Sequence, residues 1–138
     1  MRILCIDYGD ARIGVAVSDP LGFTAQMLET IKWKNDIKKP LQRIREISDA
    51  YNCDAVVVGI PRNMDGTVGP REIKTRDFMQ LLEDELPGTK IIPWDERLTT
   101  VMAQRAMHDM GIVAKNQKSR IDQMAAAFIL QGYLDSLK

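Results

Sequence analysis

Asp54-Ala55-Val56-Val57-Val58-Gly59 constrains this chain more than any other stretch. Three β-branched residues in succession put valines on both faces of a strand, so both faces need an apolar cover. That requirement selects a sheet with helices packed against it. The flanking patterns agree. Arg2–Tyr8 reads as a second buried strand, and Tyr8-Gly9-Asp10-Ala11 turns it back into Arg12–Ser18 as a hairpin. Ala25–Trp33 reads as a third strand. Ile37, Leu41, Ile44, Ile47 and Tyr51 recur at helical spacing, and Pro40 fits the first turn of that helix. Gly69-Pro70 opens a helix that runs to Leu86, before Pro87-Gly88. Lys90–Trp94 is a short strand. Thr99 or Thr100 caps a helix ending near Gly111, and Ser119 caps the last, which continues to about Leu137. The order βββαβαβαα predicts an α/β fold with a mixed five-stranded sheet. An antiparallel meander comes first, and right-handed crossovers then place the later strands parallel to the first, with helices flanking the sheet. At 138 residues the chain reads as a single domain, 1–138.

Charge narrows the function. Lys+Arg (19) and Asp+Glu (19) cancel, which excludes a histone-like protein that holds phosphate by bulk charge, while local basic patches stay open. Cys5 and Cys53 form neither a disulfide framework nor a zinc pair and suit a reducing compartment. The run Ile3–Ile6 stops at Asp7, too short for a signal-peptide core, and Gln123–Leu134 is too short for a bilayer. The expectation is a soluble, cytoplasmic protein with no membrane partner.

Three acids stand where chemistry is placed in such folds. Asp7 ends a buried strand, where an unpaired carboxylate is expensive, so it needs a cation or several donors; the structural alternative is an Asp bonded to its own turn. Asp95-Glu96 follows the strand ending at Trp94. Either acid suits the start of a following helix, but alternation sends the two to opposite sides, so one of them faces Asp7. Glu96, with the longer arm, is the preferred one and Asp95 the alternative. In Ser119-Arg120-Ile121-Asp122 the spacing matches a capping box, which on its own is the better reading of Asp122. Taken together, acids from separate segments suit Mg²⁺ or Mn²⁺, hard ions that accept oxygen ligands and assist phosphodiester hydrolysis. The lone His108, mid-helix, makes a serine–histidine mechanism unattractive.

Two loops suit phosphate. Gly59–Thr67 follows a buried strand and leads into a helix, so Asn63, Gly66 and Thr67 are candidate substrate contacts, with Gly66, Thr67 and Gly69 offering backbone N–H groups. Ala114–Arg120 carries Lys115, Lys118 and Arg120 and no acid, and leads straight to Asp122, which suits a polyanion. The basic run Lys32–Arg45 reads as a solvated helix face. Met102, Met107, Met110 and Met124 read as core filling.

These motifs resemble, in order and over nearly the whole chain, the YqgF family, also called RuvX-like Holliday junction resolvases. The resemblance rests on Ile6-Asp7-Tyr8-Gly9 with Arg12-Ile13-Gly14-Val15-Ala16-Val17-Ser18-Asp19. It continues through Gly59-Ile60-Pro61 with Met64-Asp65-Gly66-Thr67, through Asp95-Glu96-Arg97-Leu98-Thr99-Thr100, and through Ile121-Asp122 with Ala125-Ala126. It implies an RNase H-like fold and a bacterial, cytoplasmic, metal-dependent nuclease. Asp7, Glu96 and Asp122 would fill the acidic positions, and Arg97 joins the substrate contacts. It implies a role in maturing the 5′ end of pre-16S ribosomal RNA, with structured RNA or branched DNA as partner and a monomer or homodimer as the working form. Cys5 departs from the glycine common at that place. Ala125 stands where RuvC resolvases carry a further acid, so a shared fold does not secure junction resolution.

The alternatives are a junction-cutting DNA endonuclease, a nucleotide-binding module and a noncatalytic RNA-binding assembly factor. Actin-like ATPases share this core, but they need two lobes and this chain supplies one. An assembly factor sits poorly with acids that repel phosphate.

Overall fold

The computed structural model describes residues 2–97 and 118–137. The helix expected from Thr99 or Thr100 to Gly111, with His108 and Met102, Met107 and Met110, lies outside them, as does Lys115. The described elements are β1 (Arg2–Asp7), β2 (Arg12–Ser18), β3 (Ala25–Lys32), α1 (Lys38–Ala50), β4 (Cys53–Ile60), α2 (Pro70–Glu85), β5 (Lys90–Asp95) and α3 (Lys118–Ser136). One five-stranded sheet runs β3-β2-β1-β4-β5. The central β1 pairs antiparallel with β2 and parallel with β4, as the meander and the crossover predict.

Ends differ from expectation by a residue or so. β1 stops at Asp7 and β3 at Lys32, because Tyr8 and Trp33 leave the strands to pack their rings together, with centroids 6.2 Å apart. Ser119, expected to cap the last helix, lies inside α3, which is described from Lys118.

Period-two alternation sorts the core into two layers. Leu4, Ile6, Val15, Val56 and Val58 face α1 and α2, where Ile44, Ile47, Phe78 and Leu82 cover them. Cys5, Ala16 and Val57 face α3 and meet Ala126, Ile129, Leu130 and Leu134. The α3 layer is built of smaller side chains, so this helix comes close to the sheet. Two polar ties fix its place. The Ala25 N–H donates to Gln131 Oε1 (3.0 Å), and Gln131 Nε2 donates to the Phe23 carbonyl (3.1 Å). On the other side Tyr133 meets Trp94 edge to face at 5.6 Å.

Gly14, opposite Asp7 in the β1–β2 ladder, sets the closest approach. A side chain at Gly14 would run into the backbone carbonyl of Asp122. Gly14→Ala should therefore cost roughly 3 kcal/mol, the upper end for overpacking, because the obstacle is backbone and cannot rotate away. Urea denaturation measures the loss, and a weakened near-ultraviolet signal from the Trp94–Tyr133 pair would report the displaced helix.

Candidate active site

Asp7 follows Cys5 by two residues and therefore points to the α3 face. On β5 the same rule puts Glu96 in line with Ile92 and Trp94, both of which pack in the α3 layer, and sends Asp95 the other way. A backbone bond from the Glu96 N–H to the Ile60 carbonyl (3.2 Å) holds it against the end of β4. There Gly59 leaves room: a Cβ would stand 2.5 Å from Glu96 Oε2 and 2.7 Å from Ile129 Cδ1. Asp122 enters from α3 over Gly14. Three segments remote in sequence thus bring one acid each to the carboxyl end of β1.

Burial and charge act on all three. The Asp7 carboxyl is pushed up from 3.8 to about 7, by burial first and then by the charges of Glu96 and Asp122, against the pull of Arg71. Burial also raises Glu96, again opposed by Arg71. Asp122 is raised by burial and held down by Arg12. The Arg12 Nε lies 3.2 Å from the buried Asp122 Oδ2, which makes no hydrogen bond, so that oxygen is served by charge alone.

Asp95 has a different role. It is exposed and clasped by Arg97, whose NH2 lies 2.7 Å and whose Nε lies 2.9 Å from Oδ2, and its pKa is lowered by that contact. Arg97, expected to bind substrate, is thus engaged within the chain. The loop after β4 also corrects an expectation. The Gly66 N–H donates to the Asn63 carbonyl (2.8 Å), and the Thr67 N–H donates to Asp65 Oδ1 (2.9 Å). Asn63 Nδ2 bonds the Thr67 hydroxyl (3.0 Å). Two of the three N–H groups expected to cradle an anion, those of Gly66 and Thr67, are spent closing the loop, because Asp65 turns back on its own backbone. Arg120 is exposed at the start of α3, and of Lys118 only the helical backbone is described.

Sequence reasoning missed Arg12 and Arg71. A signal for Arg71 was present: a cation in the first turn of a helix sits at the positive end of the dipole, where it is unfavourable without an anionic neighbour. The same turn carries Glu72, only 1% exposed, between Arg62 (3.3 Å) and Arg76 (2.9 Å), which lashes the loop to α2.

The donors suit a hard divalent cation, since all three are carboxylates and Asp122 Oδ2 has only a charge partner. Among the described residues, no three His, Cys, Asp or Glu side chains stand close enough together to hold a metal ion as they are, so the three carboxylates would have to draw in around one. Arg12 and Arg71 supply the positive charge instead.

A five-stranded mixed sheet in this order, with acids at its carboxyl edge, is an RNase H-like fold. The chain overlays RuvC of Thermus thermophilus, solved with a Holliday junction substrate, with a TM-score of 0.65 at 16% identity, covering 99% of this chain and 95% of that one. The yeast mitochondrial resolvase Ydc2 gives 0.53 at 12% identity, covering 96% and 77%. The chain belongs to the family described as RuvX, Holliday junction resolvase, which it matches over residues 1–136. A relative from Acetivibrio thermocellus, named as a proposed pre-16S rRNA nuclease, is 57% identical over 99% of this chain and 96% of its own length. One from Clostridium botulinum under the same name is 49% identical, covering 99% and 98%.

The raised Asp7 has a thermodynamic signature. The folded chain holds this proton more tightly than the unfolded chain, so the contribution is fully present below pH 3.8 and is lost as pH rises to about 7. Discounted for Asp7's partial exposure, the penalty above pH 7 is roughly 2–4 kcal/mol. Asp7→Asn, which cannot ionise, should therefore be the more stable protein by that amount at pH 8 in metal-free buffer. The gain should shrink toward zero at pH 4. Urea denaturation at the two pH values checks it.

Proposed function

We propose that this protein is a Mg²⁺- or Mn²⁺-dependent nuclease that acts in the cytoplasm on the 5′ end of pre-16S ribosomal RNA, with Asp7, Glu96 and Asp122 as its catalytic acids. The observation that carries the reading is the charge that Glu96 and Asp122 bring to bear on the buried Asp7. Asp7 at the end of β1 is desolvated and feels the charges of Glu96 beyond β5 and Asp122 on α3, a cost that packing alone gives no reason to accept. Family membership supplies the class of reaction, and the names of the relatives supply the substrate. Among the described residues no helix is long and apolar enough to cross a membrane, which accords with a cytoplasmic site of action.

The ion would be held by Asp7, Glu96 and Asp122. When bound, such an ion polarises the phosphate and lowers the pKa of water. The chain's own residues do the rest. Arg71 opposes the upward shifts of Asp7 and Glu96 and so favours the charged form of both. Arg12 holds the Asp122 carboxyl in place until a cation competes for it. Arg12, Arg71 and Arg120 leave positive charge around an acidic centre, which suits a polyanion.

A junction-cutting DNA endonuclease is the second reading, supported by the RuvC overlay and the family description. Ala125, one helical turn beyond Asp122, weighs against it. Incubating the protein with pre-16S RNA and with a four-way DNA junction, each with Mg²⁺, Mn²⁺ or EDTA, separates the two. Asp7→Asn should reduce cleavage by at least about a hundredfold while RNA binding survives or improves, because a charge that repels phosphate is gone. Full cleavage by the folded variant would leave an RNA-binding assembly factor as the better account.

Arg12 gives a separate check. Its guanidinium and a metal ion compete for the same oxygen of Asp122. Arg12→Gln should raise Mn²⁺ affinity about two- to fivefold, the scale of a half-exposed ion pair. Titration followed by electron paramagnetic resonance reads this without any substrate.

A further inference from the structure

Two cavities open side by side at the carboxyl end of β1, on the α2 side of the sheet. The inner one, about 90 Å³, is lined by Tyr8, Gly9, Asp10, Arg71, Lys74 and Thr75. The outer one, about 260 Å³, shares Tyr8, Asp10 and Lys74 and adds Ile37, Asp77, Phe78 and Leu81. Together they reach the small end of the size range of ligand pockets, roughly 300–1,000 Å³.

Their chemistry differs. The inner cavity has two cations against one acid, and that acid is loosely engaged. Lys74 Nζ lies 3.4 Å from Asp10 Oδ2, with the side chains 59% and 69% exposed, so the pair exchanges for another anion at little cost. The outer cavity reverses the balance, with Asp10 and Asp77 against Lys74, and its other walls are apolar. That balance disfavours a phosphate, and the apolar walls suit a flat ring. Tyr8 lines both spaces and is fixed in advance. Its ring stacks on Phe78 at 4.5 Å, and beyond it Trp33 Nε1 donates to the Gly9 carbonyl at 3.0 Å.

We propose that the two cavities form one nucleotide subsite: a backbone phosphate on Arg71 and Lys74 in the inner cavity, and the base of that nucleotide in the outer cavity beside Tyr8. The identity of the ligand as nucleic acid rests on the nuclease reading. The division into a phosphate seat and a base seat rests on the cavities' own charge and walls. Arg71 joins the subsite to the catalytic edge, because it lines the inner cavity and also acts on Asp7 and Glu96. The seated phosphate would thus lie on the α2 side of that edge, within reach of the charge that Arg71 shares with it. A base inside a cavity cannot be paired in a helix, so the substrate is single-stranded at this nucleotide. Specificity for structured RNA then comes from an unpaired nucleotide beside the cleavage point.

The test is binding in EDTA, read by fluorescence anisotropy, of a short oligoribonucleotide alone and annealed to its complement. The single strand should bind about tenfold more tightly, and one abasic nucleotide at the seated position should remove that advantage. Lys74→Ala should weaken both forms and lower the single-strand salt slope by about 0.7, one phosphate's share. Leu81→Trp, which fills the outer cavity, should weaken only the single strand. Equal binding of single strand and duplex overturns the proposal. So does unchanged single-strand binding by both variants when their thermal transitions match the parent's. A parent protein that binds this way but leaves pre-16S RNA and the junction uncut with Mg²⁺ and Mn²⁺ overturns the nuclease reading and upholds the subsite.

Discussion

A desolvated carboxyl at the end of the central strand is the constraint that the rest of the structure answers. Asp7 lies where the sheet, α3 and the end of β5 converge, and two other acids press on it. Such a group persists only if the surroundings hold it there by force of packing. The force is visible on both sides of α3. Gln131 ties the helix to the β2–β3 hairpin, and Tyr133 leans on Trp94 of β5. With the helix pinned at both flanks, Asp122 has no route away from Asp7.

Arginines temper this arrangement without dissolving it. Arg71 acts on Asp7 and Glu96, and Arg12 acts on Asp122. Neither buries its charge fully with its acid, so the carboxylates remain open to exchange. By contrast Glu72, enclosed by Arg62 and Arg76, belongs to a closed structural triad. The difference between an engaged acid and an available one is thus written in how many guanidinium groups surround it and how deeply it sits.

The fold was legible because its signals were periodic. The triple valine of β4, the hairpin turn after Asp7 and the Gly69-Pro70 start of α2 each report a local geometry, and the crossover rule orders the strands. Alternation decided correctly that Asp95 and Glu96 part company, since Ile92 and Trp94 mark the buried face. The proposed site at Asp7, Glu96 and Asp122 rests on the same kind of signal: acids at element ends break an apolar pattern. What the sequence concealed were pairings. Nothing in the spacing tells that Asp65 consumes the Thr67 N–H, that Arg97 folds onto Asp95, or that Arg12 crosses to Asp122. Those depend on which side chains the tertiary fold places within a few ångströms.

Gly14 carries a further consequence. Where α3 meets the sheet at this residue, main chain rests on main chain, and no side chain lies between. Such a contact is a mechanical stop. Apolar residues elsewhere in the core can drift in size over generations, and the layers on the α1 and α2 side can swell or shrink to match. The gap at Gly14 does not follow, because a peptide backbone has one thickness whatever the sequence. The spacing between the acids of β1 and α3 is thereby inherited as a dimension of the polypeptide itself, insulated from the slow turnover of the side chains around it.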